Sequence, residues 1–154
     1  MTNASDLDTS GDPHDLNRFV AAQEKTYPQA LAEIRSGRKR SHWMWHIFPQ
    51  YDGLGFSETS RRYAIKSIAE ARAYLRHPVL GPRLIECVQV LLGIDGRSAH
   101  EIFGSPDDMK LRSSATLFAH VTGAGNVFEQ LLQKYFDSQP DPKTMQLLAI
   151  SEGW

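Results

Sequence analysis

With 154 residues, a net charge of −1, 41 % hydrophobic and 23 % charged residues, the chain has the makeup of one ordinary soluble globular domain. The near-neutral balance argues against a general nucleic-acid coat and against a polybasic membrane binder. Cys87 stands alone, which excludes an internal disulfide framework and a cysteine zinc site; no apolar run approaches the ~18 residues of a membrane span, and the polar start lacks a secretory leader, so a cytoplasmic protein is expected.

Residues 1–14 are almost free of apolar side chains and read as a disordered acidic tail, because they bury too little to offset ordering entropy. From Asp15, a candidate cap, Leu16, Phe19, Val20 and Gln23 follow helical spacing. Pro28 suits the first turn of a second helix, which Gly37 ends. Ser67 with Glu70 and Ser98 with Glu101 are capping-box pairs; the first opens a helix through Leu75, the second a short turn ending at Gly104. Val79 to Leu92 is apolar around most of its circumference and is predicted to be the central helix. Ser105-Pro106-Asp107-Asp108 predicts a start, with Ser105 as cap, for a helix to about Val121. Asn126 to Phe136 is amphipathic, and Asp141-Pro142 opens a last short helix. No alternating run calls for a sheet. The expected fold is all-α, a single compact multi-helix domain over 15–150 around a buried central helix, followed by a short tail at 151–154.

The densest chemistry lies in Gly37-Arg-Lys-Arg-Ser-His-Trp-Met-Trp-His-Ile-Phe-Pro-Gln50. A helix over Ser41–Phe48 would set His42 and His46 on one face. Two imidazoles at that spacing can hold a metal, but no third ligand or HExxH pattern accompanies them, so no metal and no cofactor is implied. His42 alone suits general acid–base work; its plainer role is a surface histidine. Trp43 and Trp45 are either core anchors or a stacking wall for a flat ligand. Arg38, Lys39 and Arg40 are either a solvated run or a phosphate grip. Gln50 can read a polar ligand edge, and the following Gly53-Leu54-Gly55 is a turn, not a P-loop.

Lys110 is the second focus. It falls on a half-apolar side of its helix beside Ser113 and Ser114, without the SxxK spacing of an acyl enzyme. Its plain reading is a stem over apolar surface with the charge in water. Among the carboxylates, Glu86 is expected to be the most buried, paired with Arg83. Cys87 reads as a small buried hydrophobe.

Many of these segments together resemble the domain of unknown function 1810 family. They include Gly37-Arg-Lys-Arg-Ser-His-Trp-Met-Trp, Ile47-Phe-Pro-Gln, Gly53-Leu-Gly, His77-Pro-Val-Leu-Gly-Pro-Arg-Leu, Ile102-Phe-Gly and Lys110-Leu-Arg-Ser-Ser-Ala-Thr-Leu-Phe. The likeness covers most of the chain after residue 14. Departures fall at His46, where the family would carry a ring such as Phe, and at Ala115, where Met is commoner. The resemblance implies a mainly helical protein, of bacterial or fungal type, and brings no activity with it.

Two functional expectations follow. One is a site that binds or hydrolyses a small nucleotide-like or aromatic anion, with His42 as catalytic candidate and Arg40, Trp45, Gln50 and Lys110 as ligand-binding candidates. The other is a non-catalytic protein-interaction module whose aromatic segment is core. Nucleic acid is the weaker partner on charge, no membrane is expected, and the sequence is silent on whether the chain is an enzyme and on its oligomeric state.

Overall fold

A computed structural model of the chain describes residues 11–153, and over that range it holds nine α-helices. The first, α1, spans Asn17–Arg35. Pro28 lies inside this one helix and does not open a second. The proline removes only the bond to the Glu24 carbonyl, and both residues are exposed, where a lost backbone bond costs least. The start is capped by Asp12, not Asp15: its carboxylate accepts from the backbone N–H of Leu16 at 2.7 Å and of Asn17 at 2.9 Å. Asp15 itself sits at φ 50°. Most of the expected tail, residues 1–10, lies outside the described residues.

Helix α2, Met44–Ile47, is a single turn. The helix over Ser41–Phe48 that would set His42 and His46 on one face does not form in its first half, because Ser41 to Trp43 are drawn onto a buried carboxylate, described below. Helix α3, Glu58–Arg62, is capped by Ser57, and α4, Ile68–Arg76, by Ser67. Only half of the Ser67 capping box forms. Ser67 Oγ accepts from Glu70 N–H at 3.0 Å, but the Glu70 carboxylate turns away to Arg18 at 2.6 Å and to the Lys66 N–H at 2.9 Å. Arg18 in turn donates to the carbonyls of His14, Asp15, Arg62 and Ala64, and so ties the chain before α1 to the α3–α4 link. Glu70, not Glu86, is therefore a buried carboxylate. Glu86 is exposed, accepts from Tyr27 and faces Arg35 at 3.8 Å, while Arg83 lies over the Tyr27 ring.

Helix α5, Leu80–Leu92, buries Leu80, Gly81, Leu84, Cys87, Val88 and Leu91. Burial pushes the Cys87 thiol up to about 12, which makes it an inert core group. Helix α6, Ala99–Phe103, carries the complete Ser98–Glu101 capping box. Helix α7, Asp107–Thr122, starts without a side-chain cap; Pro106 precedes it and Ser105 does not reach. Helices α8, Val127–Phe136, and α9, Pro142–Ser151, are capped by Asn126 and Asp141.

Packing follows from the buried faces. Helix α5 meets α1, α4 and α8, and α7 meets α4, α6, α8 and α9, so these two form the middle of an all-α domain. An aromatic line of Phe19, Tyr74, Phe118 and Phe128 runs through it, with ring centroids 5.1 to 5.5 Å apart. Among the described residues, paired extended backbone is confined to a parallel bridge between Tyr51 and Ile65, which fixes the exit of the Ile47–Gln50 segment. Among the described residues, no helix is long and apolar enough to cross a membrane.

Candidate functional site

The 37–50 segment is organised by a residue outside it. Glu33 is on the buried face of α1, fourteen residues after Phe19 and so nearly four full turns on. Its carboxylate accepts from the N–H of Arg40 at 2.7 Å and of Ser41 at 3.0 Å, from Ser41 Oγ at 2.6 Å, and from Trp43 Nε1 at 2.9 Å. Burial alone would push this carboxyl up; the donors from Ser41, Arg40 and Trp43 overturn that and hold it down at about 2. The sequence reading passed Glu33 over, although its register with Phe19 and Gln23 marks it as facing inward.

The two tryptophans part here. Trp43 is 1 % exposed and packs edge-on against Phe103, so it is a core anchor with a satisfied N–H. Trp45, two residues on, lines an open cleft of about 410 Å³. Its indole Nε1 is buried and has no hydrogen-bond partner. Lys110 Nζ sits 4.3 Å from the centre of its ring, and Gln50 lines the same cleft. Helix α2 presents Trp45, the Tyr51–Ile65 bridge places Gln50, and the first turn of α7 delivers Lys110.

The basic run divides as well. Arg38, Arg40 and His42 are exposed, and neither Arg40 nor His42 lines the cleft. Lys39 turns inward, donating to the Ser41 carbonyl at 2.6 Å and resting 5.0 Å from the centre of the Trp43 ring. It also pairs with Asp107 at 2.8 Å, and the other oxygen of Asp107 faces Lys110 at 3.4 Å. One carboxylate thus bridges the ammonium groups that cover the two indoles.

His46 points elsewhere. It lines a separate hollow of about 480 Å³ with Arg18, Lys25 and Tyr63, its ring edge-on to Tyr63 at 4.7 Å. Its Nδ1 is buried without a partner, and burial holds the ring below the usual histidine range. His42 and His46 therefore do not converge. Among the described residues, no three His, Cys, Asp or Glu side chains gather to hold a metal.

A third hollow, about 500 Å³, lies beside α8. Four of its polar groups are committed to the fold: Thr116 Oγ1 accepts from Asp141 N–H, His120 pairs with Glu152, Asn126 caps α8, and Glu129 accepts from Gly125 N–H, while Gln130, Gln133 and Ser138 also line it. The Trp45 cleft differs in pairing an indole ring with a cation on its lining. No histidine lines it, and the one buried hydroxyl there, Ser113 Oγ, donates to the Met109 carbonyl of its own helix at 3.1 Å. That lining suits holding a ligand better than attacking one.

The sequence model of a family described as protein of unknown function (DUF1810) matches residues 13–148. The fold is also similar to a crystal structure at 1.38 Å of the conserved hypothetical protein Rv1873 from Mycobacterium tuberculosis. The TM-score is 0.88 and the identity 54 %, over 90 % of this chain and 99 % of that one. Comparison with curated proteins gave no match.

Proposed function

The chain belongs to the DUF1810 family, and we propose that it is a small-molecule binding protein whose site is the Trp45–Lys110 cleft. The observation that carries this reading is the pairing of Trp45 with Lys110 on one cleft lining: the ammonium rests 4.3 Å from the centre of the ring, and the indole N–H, itself buried, has no partner within the protein. Leaving such a donor unpaired costs about 1–3 kcal/mol, a cost the fold bears at this ring alone among its described tryptophans. A cleft of about 410 Å³ is of small-molecule size. A flat ring beside an ammonium favours an anion with aromatic character, nucleotide-like or simpler, and Gln50 adds an amide to orient it. Binding is preferred to hydrolysis, because the cleft offers no activated nucleophile. A cytoplasmic setting belongs to the same reading and suits an inert, unpaired thiol. The interaction-module alternative draws on Trp43, which is core as that view requires.

The test is titration of the full chain with AMP and with 1-naphthyl phosphate, followed by the Trp45 indole N–H cross-peak in 15N-correlated NMR spectra. At least one probe should move that peak. Lys110→Ala should weaken binding about tenfold or more, as expected for losing a charge-assisted contact, while His42→Ala should leave it unchanged. A peak that stays fixed with both probes, or affinity indifferent to Lys110→Ala, overturns the proposal.

A further inference from the structure

Two large apolar side chains stand in water at the mouth of this cleft. Phe56 is 80 % exposed and Met109 44 %, and both line it. A single exposed hydrophobe needs no explanation. Two beside one cleft, with the Lys110 ammonium and the Gln50 amide on the same lining, set apolar surface next to a cation and an amide.

Phe56 is held out there by its flanks. A Cβ on Gly55 would lie 2.5 Å from Ser60 Oγ, so the chain before the ring is pressed against the first turn of α3. Ser57, directly after it, caps that helix, accepting from Ser60 N–H at 3.1 Å. Further back, Gly53 at φ +106° lies within 3.3 Å of the Leu147 side chain of α9, measured from where a Cβ would stand. The backbone on both sides of the ring is thus held by the fold.

The interior sets where the charge goes. The Lys110 ammonium already covers a face of Trp45, so a ligand ring cannot stack there while the lysine keeps its place. An acid group on the ligand can instead meet Lys110, with Lys143 also on the lining. Asp141, the acid among the lining residues, is spent on Thr144, accepting from its N–H at 2.9 Å and its hydroxyl at 2.7 Å. Most of the backbone of the first turn of α7 is likewise committed: the N–H of Asp108 donates to the Gly104 carbonyl, and those of Met109 and Lys110 to the Pro106 carbonyl. Side chains, not a helix end, must therefore hold the anion.

We infer that the cleft selects an amphipathic aromatic anion, a ring bearing one phosphate or carboxylate, with the acid at Lys110 and the bare ring edge covered by Phe56 and Met109. This rests on the binding reading above and narrows its ligand class. A sugar or a purine's polar edge placed against that apolar surface would lose water contacts and gain no partner, which disfavours a nucleotide.

The test compares 1-naphthyl phosphate, AMP and inorganic phosphate by calorimetry on the full chain and on Phe56→Ala and Phe56→Leu. Naphthyl phosphate should bind about tenfold or more tighter than AMP or phosphate. Phe56→Ala should weaken naphthyl phosphate by about fivefold or more and leave phosphate unchanged, and Phe56→Leu should restore most of the loss. AMP binding as tightly as naphthyl phosphate, or Phe56→Ala without effect, overturns this inference while leaving the binding reading intact if Lys110→Ala still weakens binding about tenfold. Silence from all three probes overturns both.

Discussion

Glu33 gives the sharpest test of how the 37–50 segment is held. Glu33→Gln keeps the shape of the side chain and imitates the protonated acid, so it isolates the charge. The folded carboxyl is held at about 2, against about 4.3 for a free glutamate. At ~1.36 kcal/mol per pH unit, the charged form contributes about 3 kcal/mol to stability. The folded value is the lower one, so this contribution is complete above the unfolded value and is lost as pH falls from there through about 2. Glu33→Gln should therefore lower stability by about 3 kcal/mol at pH 7, a fall in Tm of roughly 6–12 °C for a domain of this size. Urea unfolding followed by circular dichroism at pH 7, 5, 4 and 3 should show the two proteins converging toward acid pH. Other carboxylates titrate in both proteins and cancel in the difference. A variant within about 0.5 kcal/mol of the parent at pH 7, or a gap that does not narrow with acid, would refute the account.

Two further substitutions probe particular contacts. His46→Phe replaces a ring whose buried Nδ1 has no partner and keeps the edge-on packing against Tyr63. It should gain about 1 kcal/mol at pH 7.5. The gain should widen toward pH 5.5, because burial lowers the His46 pKa and the unfolded chain takes up the proton first; thermal melts at the two pH values read this, and a loss of stability contradicts it. Gly81→Ala would place a Cβ 2.1 Å from the Leu75 carbonyl oxygen of α4, so α5 must back away. A loss of about 3 kcal/mol in urea unfolding is expected, and a neutral result would mean the α4–α5 contact is slack.

Where a local signal decides structure, the sequence carries it. The Ser98–Glu101 box, the Asp141-Pro142 start and the apolar face of α5 are all complete within a few residues and all appear as read. Errors arise where a distant group outbids the local one. Pro28 looks like a start, yet α1 runs through it because the lost bond lies on its exposed side. Glu70 has the spacing to return to Ser67 but is taken by Arg18, 52 residues away in sequence. The same limit governs the site. Of the five candidates that the 37–50 segment and the helix position of Lys110 offer, Trp45, Gln50 and Lys110 line one cleft, whereas Arg40 and His42 lie outside its lining. Which indole would be core and which would line a hollow turned on Glu33, and its four donors all lie seven to ten residues further along the chain. Phe56 gave no signal at all, since exposure has no signature in a single sequence.

Asp107 touches two ammonium groups and can neutralise one of them. The trio of Lys39, Lys110 and Asp107 therefore carries a surplus of one positive charge beside the hollow, whatever else the surface does. Its pull on an approaching acid reaches about 10 Å in 0.1 M salt and about 3 Å at 1 M. A ligand screen run in concentrated salt would quench the very attraction it is meant to find, whereas a dilute buffer would let it speak.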